Sequence, residues 1–600
     1  MAVKTKNPYA KPVRKPGRGK AVAMTVAVLL VLTGGAMLLL RDVGPFTRNP
    51  YLKSYQVALD ALQARALPEI KFSPVTPVNR HVMFLSQSNG EYRANVAVAT
   101  GRNVPRAWTR VDSELRKLIA DTELDTKYLK LDVVNEIRET NLPDLNAMLY
   151  GEGPANFTYG IAFDKDFRTV LLQQEFESIM PYGGSTAELD LDVINAYFSA
   201  TRRPILEKLP TKLWLFRCQS WIYENETDAV TGLSTDPPTY GVRPPDLSAD
   251  AITPVISSAG RYLLNHLDDE GKFQYLLYPQ TLYESDAYNV IRHIGTLWSL
   301  CQYAEVTSNP EVKDRIDLGI SWLDRHVVRD PDTATAYIDD PDTGELKLGA
   351  SGLALLMLES YQRVFDDDKY KGLLVEIADG ILEHQLETGQ FVHNLDHEFN
   401  VVALSSVVYY DGEALFGLCR AYEATRDPKY LDAARKAADY FVANDWWQYN
   451  DHWLAYAMNE MARLFPDELA YYELGLRNVS ANFDVLAPSG SANPARLEQL
   501  MATFELYRRA IKNGIPLPDD FDVDRFLDIL ESRAKANMRA YLWPERAIYS
   551  ASCDEITGAF HSYRENTWEI RIDTVQHNIG GYYMLRKDNE ELLPLLRAGS

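Results

Sequence analysis

Ionisable and aromatic residues crowd four places in this sequence, each just ahead of an apolar run. "YESDAYNVIRHIGT" brings Asp286, Arg292 and His293, and "YYDGEALF" brings Tyr410, Asp411 and Glu413. "QYNDHWLAYA" brings Asp451, His452 and Trp453, and "ENTWEIRIDTVQH" brings Trp568, Glu569, Arg571, Asp573 and His577. A protonated and an ionised carboxyl on either side of a glycosidic bond can cleave it, while aromatic faces stack on sugar rings. The expected catalytic pair takes one member from Asp411 and Glu413 and the other from Asp451 and Asp573. The remaining residues named above are expected to bind substrate.

Two other readings stay open. In epimerase or lyase chemistry, a Tyr or His removes a proton beside a carboxylate that Arg292 or Arg571 neutralises. In the other, the chain is a non-catalytic glycan-binding or assembly subunit of an exopolysaccharide system. Asp411 and Asp451 also read as ordinary helix N-caps, and Glu569, Asp573 and His577 recur at the four-residue spacing of one helix face.

Helical hairpins must position these groups. "GASGLALLMLESYQRVFDDDKYKGLLVEIADGILEHQL" and "YDGEALFGLCRAYEATRDPKYLDAARKAADYFV" share one frame: small residues and leucines, an aromatic, an acidic turn, Lys-Tyr, then a charged, Ala-containing helix. Self-similarity of this kind indicates stacked units that bury each other's faces. About six hairpins are expected between 255 and 600, with apolar faces at both ends, which suits a closed ring. In each, the small-residue helix is expected inside and the charged one outside, so that all inner N-termini open at one end.

These hairpins, the Gly-Ala-Ser-Gly-Leu start after "DPDTGELKL" and the "YYDGEALFGL" start resemble the (α/α)6-toroid carbohydrate-active proteins. Those include six-hairpin glycosidases, N-acylglucosamine 2-epimerases and the helical domain of glucuronyl C5-epimerases. The resemblance is architectural, covers 255–600, and implies a mainly α fold with no family active site carried over.

Ahead of the toroid, the sequence predicts a basic tail at 1–20, a transmembrane helix at 21–40, a stalk at 41–69, a smaller α/β domain at 70–190 and a linker with strands at 191–254. "AVAMTVAVLLVLTGGAMLLL" carries no charge over a length that spans a bilayer's hydrocarbon core, and the basic flank should remain cytoplasmic. The expected localisation is therefore the inner membrane, single-pass, with the bulk of the chain periplasmic or extracellular. Polysaccharide or oligosaccharide, the membrane and exopolysaccharide-assembly proteins are the expected partners. A net charge of −22 argues against nucleic acid.

No cofactor is expected, since G-x-S-x-G, P-loop and G-x-G-x-x-G motifs are missing from the sequence. No metal is expected either: His393 and His397 in "HNLDHE" lack an evident third ligand. The four cysteines lie far apart in the sequence.

Overall fold

A computed structural model describes residues 51–598 apart from 71–78, 121, 123, 153–156, 180–181, 184–187, 237–239, 489–491 and 565–566. The expected basic tail and transmembrane helix lie outside the described residues. Among those described, no helix is long and apolar enough to cross a membrane.

The chain forms two compact units. One comprises the residues up to Thr235 together with Pro544–Asp554; the other comprises Asp236–Trp543 and Glu555–Ser600. In the first, an antiparallel sheet runs in the order Asn95–Gly101, His81–Ser88, Tyr128–Asn141, Lys212–Glu224, Gly160–Ala162, Val170–Leu171, with Ala229–Gly232 also paired to Lys212–Glu224. Two expectations are corrected here. Lys212–Glu224, expected as a strand within a linker, is an interior strand of this sheet, because its apolar residues alternate onto both covered faces. Tyr51–Arg65, expected as a stalk, lays Tyr55, Leu59 and Leu62 into the apolar core on one face of this sheet. The other face buries Lys130, paired with Asp132, near Ser86 and Tyr549, the last from the segment 544–554.

Among the described residues, twelve helices of the second unit form a ring: α1 (Ala249–Asn265), α2 (Val290–Thr307), α3 (Glu311–Asp324), α4 (Leu348–Phe365), α5 (Lys371–Glu383), α6 (Tyr409–Thr425), α7 (Pro428–Ala443), α8 (His452–Leu464), α9 (Leu469–Ser480), α10 (Pro494–Asn513), α11 (Val523–Met538) and α12 (Ile572–Lys587). The even-numbered helices pack each on the next, and α12 packs back on α2, which closes the expected toroid. The odd-numbered helices sit outside, with α1 packed on both α12 and α2. The helix that completes the sixth pair is therefore the first in sequence.

The inner position follows from composition. From Leu348 to Tyr361, α4 is buried without interruption, as a helix apolar all round must be. Small residues let neighbours approach: a Cβ on Gly417 would lie 2.7 Å from the carbonyl oxygen of Gly352. The Lys-Tyr of the repeat clasps the preceding hairpin. Lys369 and Tyr370 both bind Asp317 on α3, and Lys429 and Tyr430 both bind Asp379 on α5.

Candidate functional site

Aromatic side chains plug the ring. Trp298 on α2 lies 5.9 Å from Trp453 on α8, centroid to centroid, and these two helices stand diametrically opposite in the ring. Tyr456 and Phe416 complete the plug, and Ser360 on α4 accepts from Trp298 Nε1 at 3.1 Å. Such faces can support a sugar ring.

Two imidazoles adjoin this plug. His452 opens α8, and its ring lies 5.4 Å from that of His577 on α12. His577 Nδ1–H donates to Glu498 Oε2 on α10 at 2.6 Å, with the Tyr456 phenol beside the same carboxylate. Burial alone would discharge His577, but the fields of Glu498 and Asp573 outweigh it and hold the imidazole above its ordinary value. His452 goes the other way, since burial, aided by the charge of His577, pushes it well below. Its Nε2 is buried without a partner among the described residues. Side by side thus stand one imidazole biased to carry a proton and one biased to lack it.

Glu498 was not among the expected site residues. Its one sequence signal is a carboxylate inside the apolar "ARLEQLM" run, and the close approach of Gly580 on α12 explains how it fits: a Cβ there would lie 2.1 Å from Glu498 Oε1. His452, Glu498 and His577 bring one ligand atom each within 4.8 Å of one another, and two imidazoles with a carboxylate form a donor set able to hold a divalent metal. That set was not foreseen in the sequence.

Arg571, Asp573 and Arg292 lie next along the ring. Asp573 takes both Nε and Nη2 of Arg571, at 2.5 and 2.9 Å, and Nε of Arg292 at 2.8 Å. Burial would raise the Asp573 carboxyl, but the two guanidiniums hold it below its ordinary value. It is a neutralised anchor for cations, which removes it as the acid of a hydrolytic pair. The helix expected over "ENTWEIRIDTVQH" begins only at Ile572, and Thr567–Arg571 is a strand paired with Leu276–Leu277 and with Ser562–Arg564. Glu569 therefore does not share a helix face with Asp573. It accepts from Ser562 Oγ at 3.1 Å, while Trp568 packs edge-on against His561.

The other expected carboxylates lie between inner helices. Asp451 is the expected N-cap: its oxygens accept from the backbone N–H groups of Trp453 at 2.9 Å and Leu454 at 3.2 Å. Burial, moderated by these bonds, still pushes it up to about 8. Asp411 is not the expected cap. It lies one residue pair inside α6, whose N-cap, Val408, makes no side-chain bond. Its Oδ2 instead accepts from His393 Nε2–H at 2.7 Å, because His393 Nδ1 is taken by the N–H groups of Ser406 and Val407. This also separates His393 from His397, which faces Asp339.

Glu413 points at α4, where a Cβ on Gly349 would lie 2.2 Å from its Oε2. Burial, then Asp451, pushes the Glu413 carboxyl well up. Tyr410 packs 5.5 Å from the His393 ring.

His293 is corrected from binding residue to core residue. Its Nδ1 meets the Tyr288 hydroxyl at 2.7 Å, its Nε2 meets the Gly319 carbonyl on the outer helix α3, and burial pushes it down to about 3. Asp286 is exposed on the loop before α2.

No protein-family model matches this chain. No curated protein matches it either. Solved structures of similar fold include a D-mannose isomerase, at 13% identity and a TM-score of 0.45, covering 57% of this chain and 99% of that one. A cellobiose 2-epimerase from Bacillus thermoamylovorans stands at 11% and 0.43, covering 56% and 99%. A family 76 glycoside hydrolase from Bacteroides thetaiotaomicron stands at 9% and 0.42, covering 77% and 97%. At these values the likenesses carry nothing about chemistry, and the ring itself rests on the packing of α12 against α2.

Proposed function

We propose that this protein is a carbohydrate-active enzyme that moves a proton to and from a sugar carbon, in the epimerase or lyase class. One observation carries the reading: His452 and His577 lie with ring centroids 5.4 Å apart while their surroundings bias them in opposite directions. Two titratable groups whose environments push them apart form an acid and a base. His452 Nε2 is the base, and His577, charged through Glu498, is the acid that protonates a neighbouring oxygen. The aromatic plug supports the sugar ring.

The carboxylate-pair hydrolysis expected from the sequence has weaker support. Asp573 is bound by two guanidiniums, Asp451 is occupied as a cap, and Asp411 is occupied by His393.

The test is to incubate the protein with a sugar panel in deuterium oxide and to follow C–H signals by NMR, beside His452→Gln and His577→Gln. Solvent deuterium entering a sugar carbon with wild type and with neither variant is the expected result. Shortened products without carbon exchange would replace this reading with hydrolysis, and binding without turnover would make the ring a receptor.

The uncharged stretch at 21–40 behind a basic tail supports a single N-terminal anchor, with the bulk of the chain outside the cytoplasm and within reach of exopolysaccharide-assembly partners. Protease added to intact cells or spheroplasts should digest the toroid, and full protection would overturn this placement.

A further inference from the structure

Three neighbouring inner helices each send one metal-ligating residue to the same level of the ring. His452 is the first residue of α8, and Glu498 and His577 lie within the first two turns of α10 and α12. Helix α10 packs on both α8 and α12, and one ligand atom from each residue comes within 4.8 Å of the other two. Glu498 is fully buried, whereas the side chains of His452 and His577 keep 13% and 19% of their surface, so the set is closed on its carboxylate side and open to solvent on its imidazole side. Two of its atoms are costly as they stand: His452 Nε2 and Glu498 Oε1 are buried without a hydrogen-bond partner among the described residues.

The ligand types choose the ion. Imidazole nitrogen suits zinc, cobalt, nickel, copper and iron(II), while magnesium and calcium take oxygen ligands and would find a single carboxylate here. Three protein ligands leave a fourth position of a tetrahedral ion for water or for a sugar oxygen. The Trp453 ring, 4.8 Å from that of His452 and 6.4 Å from that of His577, borders the same imidazoles.

We infer that His452, Glu498 and His577 bind one divalent transition-metal ion of the zinc type, against the expectation from the sequence. Binding itself does not depend on the proton-transfer reading of the two imidazoles. Its consequence for turnover does. A nitrogen that has given its lone pair to a metal takes no proton from carbon, so a bound ion and proton transfer exclude each other. The ring then has two states, one that exchanges a sugar proton and one that a metal holds inactive.

The experiment uses the full chain, purified without a histidine tag and stripped with a chelator. Zinc and cobalt(II) are titrated by calorimetry and by the visible absorption of bound cobalt, with magnesium and calcium as controls. Wild type should take one zinc or one cobalt ion per chain and neither control ion. His452→Gln, His577→Gln and Glu498→Gln should each lose about a hundredfold or more in affinity, since even the outer partners of a ligand are worth about ten- to a hundredfold. Glu498→Asp keeps a carboxylate and should recover part of that loss, which separates a missing ligand from a missing fold. His397→Ala, which removes a half-exposed imidazole paired with Asp339, should bind as wild type does. Absence of stoichiometric binding, or binding that the three variants leave unchanged, overturns the inference. Zinc should also stop carbon exchange in deuterium oxide over the range in which it fills the site, and exchange that continues, or appears only, with the site full overturns the exclusion. Metal binding with no exchange in either state leaves the metal site standing and removes the proton-transfer reading. Exchange without metal binding does the reverse.

Discussion

Glu498 Oε2 and His577 Nδ1 meet at 2.6 Å across α10 and α12, and this contact works against burial at both groups. Burial raises Glu498 against the pull of His577, and Glu498 raises His577 against burial, so the pair keeps its proton to higher pH than a free imidazole would. Such a pair contributes stability below the unfolded histidine value and loses it as pH rises through the folded one. In Glu498→Gln the support for the imidazolium is gone. The alkaline limb of the pH–rate profile should move to lower pH, and kcat should fall about ten- to a hundredfold. An unmoved limb would show that His577 is not the titrating acid.

Gly580 tests the same contact from the other side. A methyl group at 2.1 Å from Glu498 Oε1 must displace the carboxylate. Gly580→Ala should lower stability by about 1–3 kcal/mol through overpacking and shift the pH profile as Glu498→Gln does. Thermal unfolding and the pH–rate profile, measured on one preparation, check both effects.

Asp411 and His393 are predicted to be structural. Asp411 Oδ1 already lacks a partner among the described residues, so His393→Leu, which removes the donor to Oδ2, should cost about 3 kcal/mol. Asp411→Asn keeps an acceptor and should retain activity within a few-fold. A well-folded Asp411→Asn protein without activity would return Asp411 to the catalytic set.

Glu413 and Asp451 make stability depend on pH. Both carboxyls are raised in the folded state, Asp451 to about 8, so the native protein binds more protons than the unfolded chain above the ordinary carboxylate range. Stability should therefore fall as pH rises from about 4 through that value. Glu413→Gln and Asp451→Asn should flatten the curve of melting temperature against pH, and the second keeps a good N-cap. A wild-type melting temperature that does not change between mildly acidic and mildly alkaline pH would contradict both assignments.

Much of the architecture was legible in the sequence. Small residues, leucines, an acidic turn and Lys-Tyr recur with the hairpin, because each unit must pack on the next and clasp the aspartate of the hairpin before it, as Tyr370 and Tyr430 do. Ring closure was legible in the apolar faces of the end units. The helix starts at Asp451 and His452 were legible as well, since capping is a local backbone matter. The strand at Thr567–Arg571 was not, because its partner Leu276–Leu277 lies far away along the chain and no local pattern announces that pairing.

Local spacing could not say which polar groups would meet. Sequence offered the carboxylates at 411, 413, 451 and 573 alike as members of a catalytic pair, with 411 and 451 also reading as helix caps. Tertiary structure gave the first to His393, the second to the face of α4, the third to a helix cap and the fourth to two arginines. It also brought Glu498, 79 residues from His577, within hydrogen-bond distance of that imidazole. The sequence by itself determined the repeat, the polarity of each helix and so the ring. The tertiary structure decided the chemistry, because a buried group's charge depends on which neighbours the fold brings within a few ångströms, and those lie far away along the chain.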